Sequence, residues 1–407
     1  METIFIQIAS YRDPELIPTI DNLINNADSP KRLTICIAHQ HSKEDKWDSL
    51  QKYANDPRFI IIDIPHQESM GACWARNQIQ QHYDNQTYTL QLDSHHRFVK
   101  GWDTLCIKML KDLQEKGYNK PLLTSYISSY NPEKDPEDRH PQPWGMSFDK
   151  FTPEGIVFFL PYHIENKHLL PIKARFYSAH FAFTLGQFCT EVPHDPMLYF
   201  HGEEISITVR AYTHGYDLFH PHKIIAWHEY TRNGRTKHWD DDTQWNEKNL
   251  VAHARTRTLL GVDGLICTPC NQKSFEGYNI GSARTIKDYE VYAGIRFKDR
   301  SITEACLQNI APPGKEGAVY FPKFKHTLEF QYSSFTKNDY EFAALIFSNK
   351  QGKEIYRKDY TNFDNILKSN PSNPTITIDE NMTRPDKWIL WAYSKSSGWA
   401  ERIEGII

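Results

Sequence analysis

The 407-residue sequence has no apolar run near the roughly 18 to 20 residues that a membrane-spanning helix needs. It has no basic-then-apolar leader either, because Met1 runs almost directly into an alternating stretch, Ile4 to Ala9. These two absences predict a protein without a membrane span or a signal segment. Basic charge is not in excess: 47 Lys and Arg stand against 51 Asp and Glu, a formal net charge of −4. Nucleic acid is therefore not expected as a partner. Cysteine is scarce, at seven residues, and the odd number argues for reduced thiols in a cytoplasmic protein rather than a disulfide framework. Cys267 and Cys270 make the only close pair. With no second Cys-x-x-Cys, they predict a turn through Thr268-Pro269 rather than a zinc site. Internal repeats and low-complexity tracts are also missing, so a repeat architecture is not expected.

What is present is enough length for two or three domains and an aromatic content of 13% that suits packed cores. Periodicity in the first third alternates strand and helix. Strands are predicted at Ile4 to Ala9, Leu33 to His39, Phe59 to Ile64, Thr87 to Leu92 and Leu122 to Tyr126. Helices are predicted at Leu16 to Asn25, Gly71 to Tyr83 and Trp102 to Lys116. This alternation predicts a mostly parallel sheet covered on both faces. Asn131 to Trp144, with four prolines and many charges, reads as a loop. Tyr177 to Thr184 reads as a strand, and a helix opens at Gly202-Glu203-Glu204 and runs through Tyr212. Short strands follow at Tyr216 to Phe219 and Ile224 to His228, then a helix at Trp245 to Leu260. Near Ala311-Pro312-Pro313-Gly314 the composition turns β-rich, with strands from Ala318 to Ser394. The reading is an α/β domain over residues 1–310 and a β-sandwich over 317–407.

The chain is organised around Asp93-Ser94-His95, where a predicted strand ends in a carboxylate and an imidazole two residues apart. Ligands of open α/β sheets bind beyond the carboxyl ends of the strands, so the position suits a metal. His228 closes the run Ile224-Ile225-Ala226-Trp227 and is expected at another strand tip. Asp93, His95 and His228 together would offer oxygen and nitrogen donors with open positions. That set suits manganese (Mn2+), with magnesium (Mg2+) as the second candidate because it prefers oxygen throughout. A lone histidine there equally suits packing or capping.

Other stretches gather near the same sheet edge. Ser10-Tyr11-Arg12-Asp13 follows the first strand: Tyr11 could stack on a base, Asp13 bond its edge, and Arg12 favour phosphate. The same residues also suit a plain helix start with Pro14 in its first turn. Gly71 and Arg76 open a helix whose free amides could receive a diphosphate. Tyr230 to Lys237 is basic and contains glycine, as a lid over a diphosphate would be, or a solvated turn. Glu203 and Glu204 sit at a helix start, where acids also suit the macrodipole.

Taken in order, Ser10-Tyr11-Arg12-Asp13, Gly71 with Ala75-Arg76, Leu92-Asp93-Ser94-His95, Gly101-Trp102, Ala174-Arg175-Phe176, Gly202-Glu203-Glu204 and His228-x-Tyr230-x-Arg232 resemble a known group. It is the polypeptide N-acetylglucosaminyltransferase family that modifies hydroxyproline on a cytosolic ubiquitin-ligase subunit in some protists. More distantly, the series is similar to the mucin-type polypeptide N-acetylgalactosaminyltransferases. The resemblance covers roughly residues 1–300 and implies a GT-A fold, a Rossmann-type mixed sheet with flanking helices. It also implies a UDP-sugar donor, manganese, a polypeptide or glycan acceptor and transfer with retention at the anomeric carbon. It places metal binding on Asp93, His95 and His228, and donor contacts on Ser10, Tyr11, Arg12, Asp13, Arg76, Asp93, Ser94 and Arg232. Glu203 and Glu204 would act where sugar and acceptor meet. Two features depart from the galactosamine enzymes: Ala179-His180 stands where they carry paired glycines, and the C-terminal β region is not their trefoil lectin. That β region is expected to recognise acceptor, bind a partner or pair two chains.

Overall fold

The computed structural model describes every residue except 1, 166, 233, 267–272, 338 and 370–373. The Cys267 to Cys270 turn lies outside the described residues. Chain contacts divide the protein into two compact units, residues 1–298 with 305–318, and residues 299–304 with 319–407.

The first unit carries strands β1 (Ile4–Tyr11), β2 (Leu33–His41), β3 (Phe59–Pro65), β4 (Tyr88–Asp93), β5 (His96–Phe98), β6 (Pro121–Thr124), β7 (Trp144–Phe151), β8 (Val157–His163), β9 (Ile172–Lys173), β10 (Phe181–Leu185), β11 (Asp217–His220) and β12 (Ala226–His228). Its helices include α1 (Leu16–Asn26), α2 (Ala72–Gln80), α3 (Trp102–Glu115), α4 (Phe188–Glu191), α5 (Glu203–Thr213), α6 (His238–Asp241), α7 (Trp245–Leu260) and α8 (Ile286–Ala293). Eight strands form one sheet in the order β3-β2-β1-β4-β10-β6-β11-β9.

The apolar run of β1 follows from its burial on both faces. Ile4, Ile6 and Ile8 pack with Leu16, Ile20 and Leu23 of α1 and with Trp102 and Leu110 of α3. Phe5 points the other way, into a cluster with Ala75 and Ile79 of α2. Each isoleucine side chain fully buried there contributes about 1.5–3 kcal/mol relative to exposure.

The sheet is mostly parallel, as expected, but mixed: β1 to β4, β6 and β11 run one way, and β9 and β10 run the other. β1 to β4 are parallel to one another, whereas β10 runs antiparallel to both β4 and β6. A parallel return needs a crossover, usually helical, and no α-helix lies between β6 and β10 among the described residues. That interval instead holds the hairpin β7–β8, where a loop running up to Trp144 and nothing further was expected. A register shift between Phe148 and Lys150 breaks the hairpin's alternation and hides it in the sequence. The strand expected from Tyr177 begins only at Phe181. The amides of Tyr177, Ser178 and Ala179 donate to Thr208 Oγ1 (2.8 Å), Thr124 Oγ1 (2.7 Å) and Glu204 Oε1 (3.0 Å) instead of to a neighbouring strand.

In the second unit, Tyr340–Ser348 pairs antiparallel with Glu354–Tyr360 on one side and Lys387–Ser394 on the other. A separate pair joins Lys323–Glu329 to Thr375–Asn381. Leu328, Ile376 and Ile378 of the smaller sheet share a core with Leu345, Phe347 and Leu390 of the larger, and helix Phe363–Ser369 adds Phe363 and Leu367. Trp391 and Trp399 lie ring to ring at 4.2 Å beside this core.

Candidate active site

β4 ends at Asp93, and the chain turns at once into β5. β5 pairs antiparallel with β12 in a register that sets His96 opposite His228. This two-stranded ladder brings His228 beside His95. The backbone of His228 is held as well: its amide donates to Ser128 O (2.9 Å), and the next amide, of Glu229, donates to His95 O (3.2 Å).

Asp93, His95 and His228 converge, with one ligand atom from each within 4.8 Å of the others. Asp93 Oδ2 lies 3.7 Å from His95 Nε2 and 3.5 Å from His228 Nε2. The other oxygen of Asp93 accepts from Arg76 Nη2 at 2.8 Å. Both ring nitrogens of His228 are buried without a hydrogen-bond partner. An imidazole without a closer partner is open to a ligand. Burial, reinforced by His180 and His95, holds His228 well below the usual histidine range, so its ring is neutral, the form that ligates. Burial alone would raise Asp93, but His228, Arg76 and His95 outweigh it and keep the carboxylate ionised. The donor set fits a divalent cation that accepts carboxylate and imidazole.

Asp13 lies behind this group. Its Oδ2 accepts from Ser94 Oγ (2.6 Å), His95 Nδ1 (2.8 Å) and Arg235 Nη1 (2.9 Å), and its Oδ1 accepts from the amide of Glu15 (2.9 Å). Asp13 lines the first cleft, and these contacts tie its carboxylate to the ring of His95. Ser94 serves the same carboxylate.

Arg76 bridges Asp93 and Glu203, whose Oε1 also lies 3.0 Å from His194 Nδ1. Burial would raise Glu203, but Arg76 and His194 pull it down to about 2. Glu204 is the opposite case: burial pushes it up to about 7, although the amide of Ala179 and the hydroxyl of Tyr126 (2.8 Å) both donate to it.

Two clefts meet here. One, of about 750 Å3, is lined by Tyr11, Ser94, His95, Arg235, Lys237 and His238 among others. The other, of about 1020 Å3, is lined by Tyr126, Phe158, Phe159, His180, Glu203 and Glu204 among others. Arg76, Asp93, Phe200, His228 and Arg232 line both. Arg232 takes a left-handed backbone (φ +56°) and lies 5.2 Å from the ring centre of Trp239.

Not every expected residue reaches the clefts. Arg12 is turned away, its guanidinium bonding Asp45 (2.7 Å) and Asp241 (3.0 Å). Ser10 is buried and presents only its carbonyl, to Gln40 Nε2 (3.1 Å). Tyr11 does line the first cleft, with its hydroxyl donating to Asp241 (2.7 Å). At the start of α2, the amide of Ala72 already donates to Tyr199 O (3.2 Å), so that helix end offers fewer free amides than expected. Sequence reasoning missed the histidines packed round the centre. His180 stacks on His228 at 4.2 Å, and Tyr230 meets the same ring edge-on at 4.3 Å. The pair Ala179-His180 was visible but was weighed only for sugar identity.

The glycosyltransferase (GlcNAc) family model matches residues 3–57 and 51–299. The chain belongs to this family. Among solved structures it is similar to GalNAc-T7 with UDP, GalNAc and Mn2+, at 13% identity, over 96% of this chain and 69% of that one, with a TM-score of 0.50. It also aligns with residues 1–349 of S. aureus TarS in complex with UDP-GlcNAc, at 13% identity, over 60% of this chain and 64% of that one, with a TM-score of 0.37. A search of curated proteins found no match. The first of these likenesses establishes the architecture: this glycosyltransferase has a GT-A-like mixed sheet with further β sheets at its C-terminal end. No helix among its described residues is long and apolar enough to cross a membrane.

Proposed function

We propose that this glycosyltransferase moves N-acetylglucosamine from UDP-N-acetylglucosamine to a hydroxyl on a polypeptide, with retention at the anomeric carbon and with manganese held by Asp93, His95 and His228. The observation that carries the reading is the wall shared by the two clefts, where Asp93 and His228 stand between a cationic pocket and an aromatic one, with His95 beside them on the first cleft. Residues 1–310 would form the catalytic domain and 317–407 an accessory β-sandwich that recognises acceptor, binds a partner or pairs two chains. Five described cysteines are free and buried, which supports a reducing, cytoplasmic setting.

When bound, manganese would supply positive charge to a departing diphosphate. The chain's own cations act in the same direction. Arg76, Arg232 and Lys237 line the first cleft, where fixed positive charge stabilises negative charge that develops on a leaving group. Phe158, Phe159 and Tyr230 wall the second cleft and exclude water from an acceptor bound there. Glu203 is tied to Arg76 and His194, and Glu204 to Tyr126 and the Ala179 amide, so neither carboxylate is free to swing in as a nucleophile. This supports attack on the same face. The bond from sugar to phosphate breaks, the acceptor oxygen bonds the anomeric carbon, and the departing phosphate oxygen takes the acceptor's proton.

The test is manganese-dependent turnover of a panel of UDP-sugars, with hydroxyl-bearing peptides and with oligosaccharides as acceptors, and NMR of the product's anomeric proton. Asp93→Ala and His228→Ala should each lower turnover at least 100-fold with the fold retained. Turnover that survives Asp93→Ala would remove the centre from this position, and transfer to oligosaccharide alone would replace the polypeptide acceptor by a glycan. A glycosyl adduct trapped on Glu203 or Glu204 would overturn same-face attack.

A further inference from the structure

A second group of metal-ligating side chains lies at the carboxyl end of β2, outside the lining of both clefts. His39 and His41 are two residues apart on that strand, so both rings leave the same face of the sheet. Their rings stack at 4.7 Å with an interplanar angle of 16°. The neighbouring strand adds Asp63, which sits opposite His39 in the β2–β3 register. One ligand atom each from His39, His41 and Asp63 lies within 4.8 Å of the others.

Two observations separate this group from a chance meeting of surface charges. The first is graded burial: the His39 side chain is 5% exposed, that of His41 20% and that of Asp63 76%. The set therefore runs from an anchored imidazole to a carboxylate open to solvent, leaving a coordination position for water. The second is Asp48, whose side chain is 1% exposed and whose Oδ1 lies 2.9 Å from His39 Nε2. Asp48 Oδ2 is buried with no partner. A buried carboxylate on one imidazole nitrogen fixes the ring and leaves the other nitrogen, Nδ1, for a metal, the arrangement that carboxylate–histidine–zinc sites use.

We propose that His39, His41 and Asp63 bind a zinc-class divalent ion, oriented by Asp48 and completed by water. Two imidazoles, one carboxylate and an open position suit a four-coordinate zinc ion rather than magnesium or calcium, which take mostly oxygen. The His41 Nε2 and Asp63 Oδ1 atoms are 2.7 Å apart, and zinc would replace that direct hydrogen bond by two ligand bonds. The ion would tie β2 to β3 and, through Asp48, to the segment between Ser42 and Asp48. Asp45 of that segment holds Arg12, which also bonds Asp241 of α6. Occupancy would thus stiffen one edge of the first cleft without contributing a group to it.

The experiment uses the full chain and zinc chloride, with stoichiometry by calorimetry and ligand type by X-ray absorption. The Asp93→Ala variant removes the other centre and should still bind one equivalent of zinc, with nitrogen and oxygen scatterers. Adding His41→Ala, at a partly exposed position, or Asp63→Asn, at an exposed one, should abolish that equivalent or weaken it at least tenfold while the circular dichroism spectrum is unchanged. Adding Asp48→Asn should weaken it roughly 10- to 100-fold, as loss of an orienting partner does. Zinc binding by Asp93→Ala that is unaffected by His41→Ala and Asp63→Asn would overturn the proposal, and so would no binding at all.

Discussion

Asp13 accepts a hydrogen bond from Nδ1 of His95 at 2.8 Å, and in doing so turns the other ring nitrogen of His95 towards Asp93. A residue that the sequence marks as a base-binding candidate thereby holds the ring of His95, and on the proposed function it would position that ring for the metal. Loss of such an orienting partner typically weakens metal binding 10- to 100-fold. Asp13→Asn is expected to raise the manganese concentration needed for half-maximal turnover by about that factor. Electron paramagnetic resonance of free manganese checks it directly. An unchanged manganese requirement would return Asp13 to a purely structural role.

Arg76 and Arg12 should separate cleanly. Arg76 is buried between Asp93 and Glu203, and breaking a buried ion pair from one side costs about 3–5 kcal/mol. Arg76→Ala is expected to lower both thermal stability and kcat/KM by more than tenfold in the latter. Arg76→Lys should keep the charge but lose the two-pronged contact, giving an intermediate value. Arg12→Ala, in contrast, removes contacts to Asp45 and Asp241 outside the clefts and should change kcat/KM less than fivefold. Paired kinetic and melting measurements on the three variants decide between these outcomes.

The two glutamates of α5 should differ in their response to pH. Glu204 is raised from its ordinary 4.5 to about 7 by burial, so the folded protein binds its proton more tightly than the unfolded chain does. Its contribution to stability is full below about pH 4.5 and is lost as pH rises through 7, by up to about 3 kcal/mol. Glu204→Gln should flatten the fall in stability between those values. Glu203, held down at about 2 by Arg76 and His194, works in the reverse sense: its contribution is present above pH 4.5 and fades only as pH falls towards 2. Denaturant titrations from pH 4 to 8 should therefore show a slope that Glu204→Gln removes and Glu203→Gln does not.

Gly71, like Gly202 of the second cleft, is a glycine where both conformation and space are demanded. Its φ is +104°, and an added Cβ would fall 2.6 Å from Tyr199 O, the oxygen that also receives the Ala72 amide. Gly71→Ala is expected to destabilise the fold by about 1–3 kcal/mol and to displace the start of α2, with Arg76 further along it. A chemical-denaturation midpoint equal to that of the parent protein would contradict this.

The parallel half of the sheet was legible because its strands are apolar on both faces and its helices carry a clear period, as β1 with α1 and α2 with its buried Ala75 and Ile79 show. Asp93, His95 and His228 were legible because strand ends in such sheets point at ligands. The hairpin β7–β8 was not, since a register shift interrupts its alternation. Nor was the engagement of Asp13, which depends on Arg235 reaching it from 222 positions away. Arg12 misled for a related reason: a cation beside the site in sequence was drawn off by Asp45 and Asp241, and no local pattern records such a competition. His180 was hidden because its backbone amides belong to an irregular stretch whose neighbours bond side chains of β6 and α5.

The β7–β8 hairpin contributes Val157, Phe158 and Phe159 to the second cleft and nothing to the first. Exchange of this one excursion would therefore alter the second cleft and leave the lining of the first unchanged. On the proposed function, swapping in a hairpin from a relative would be a route to a new acceptor range that leaves the lining of the first cleft in place.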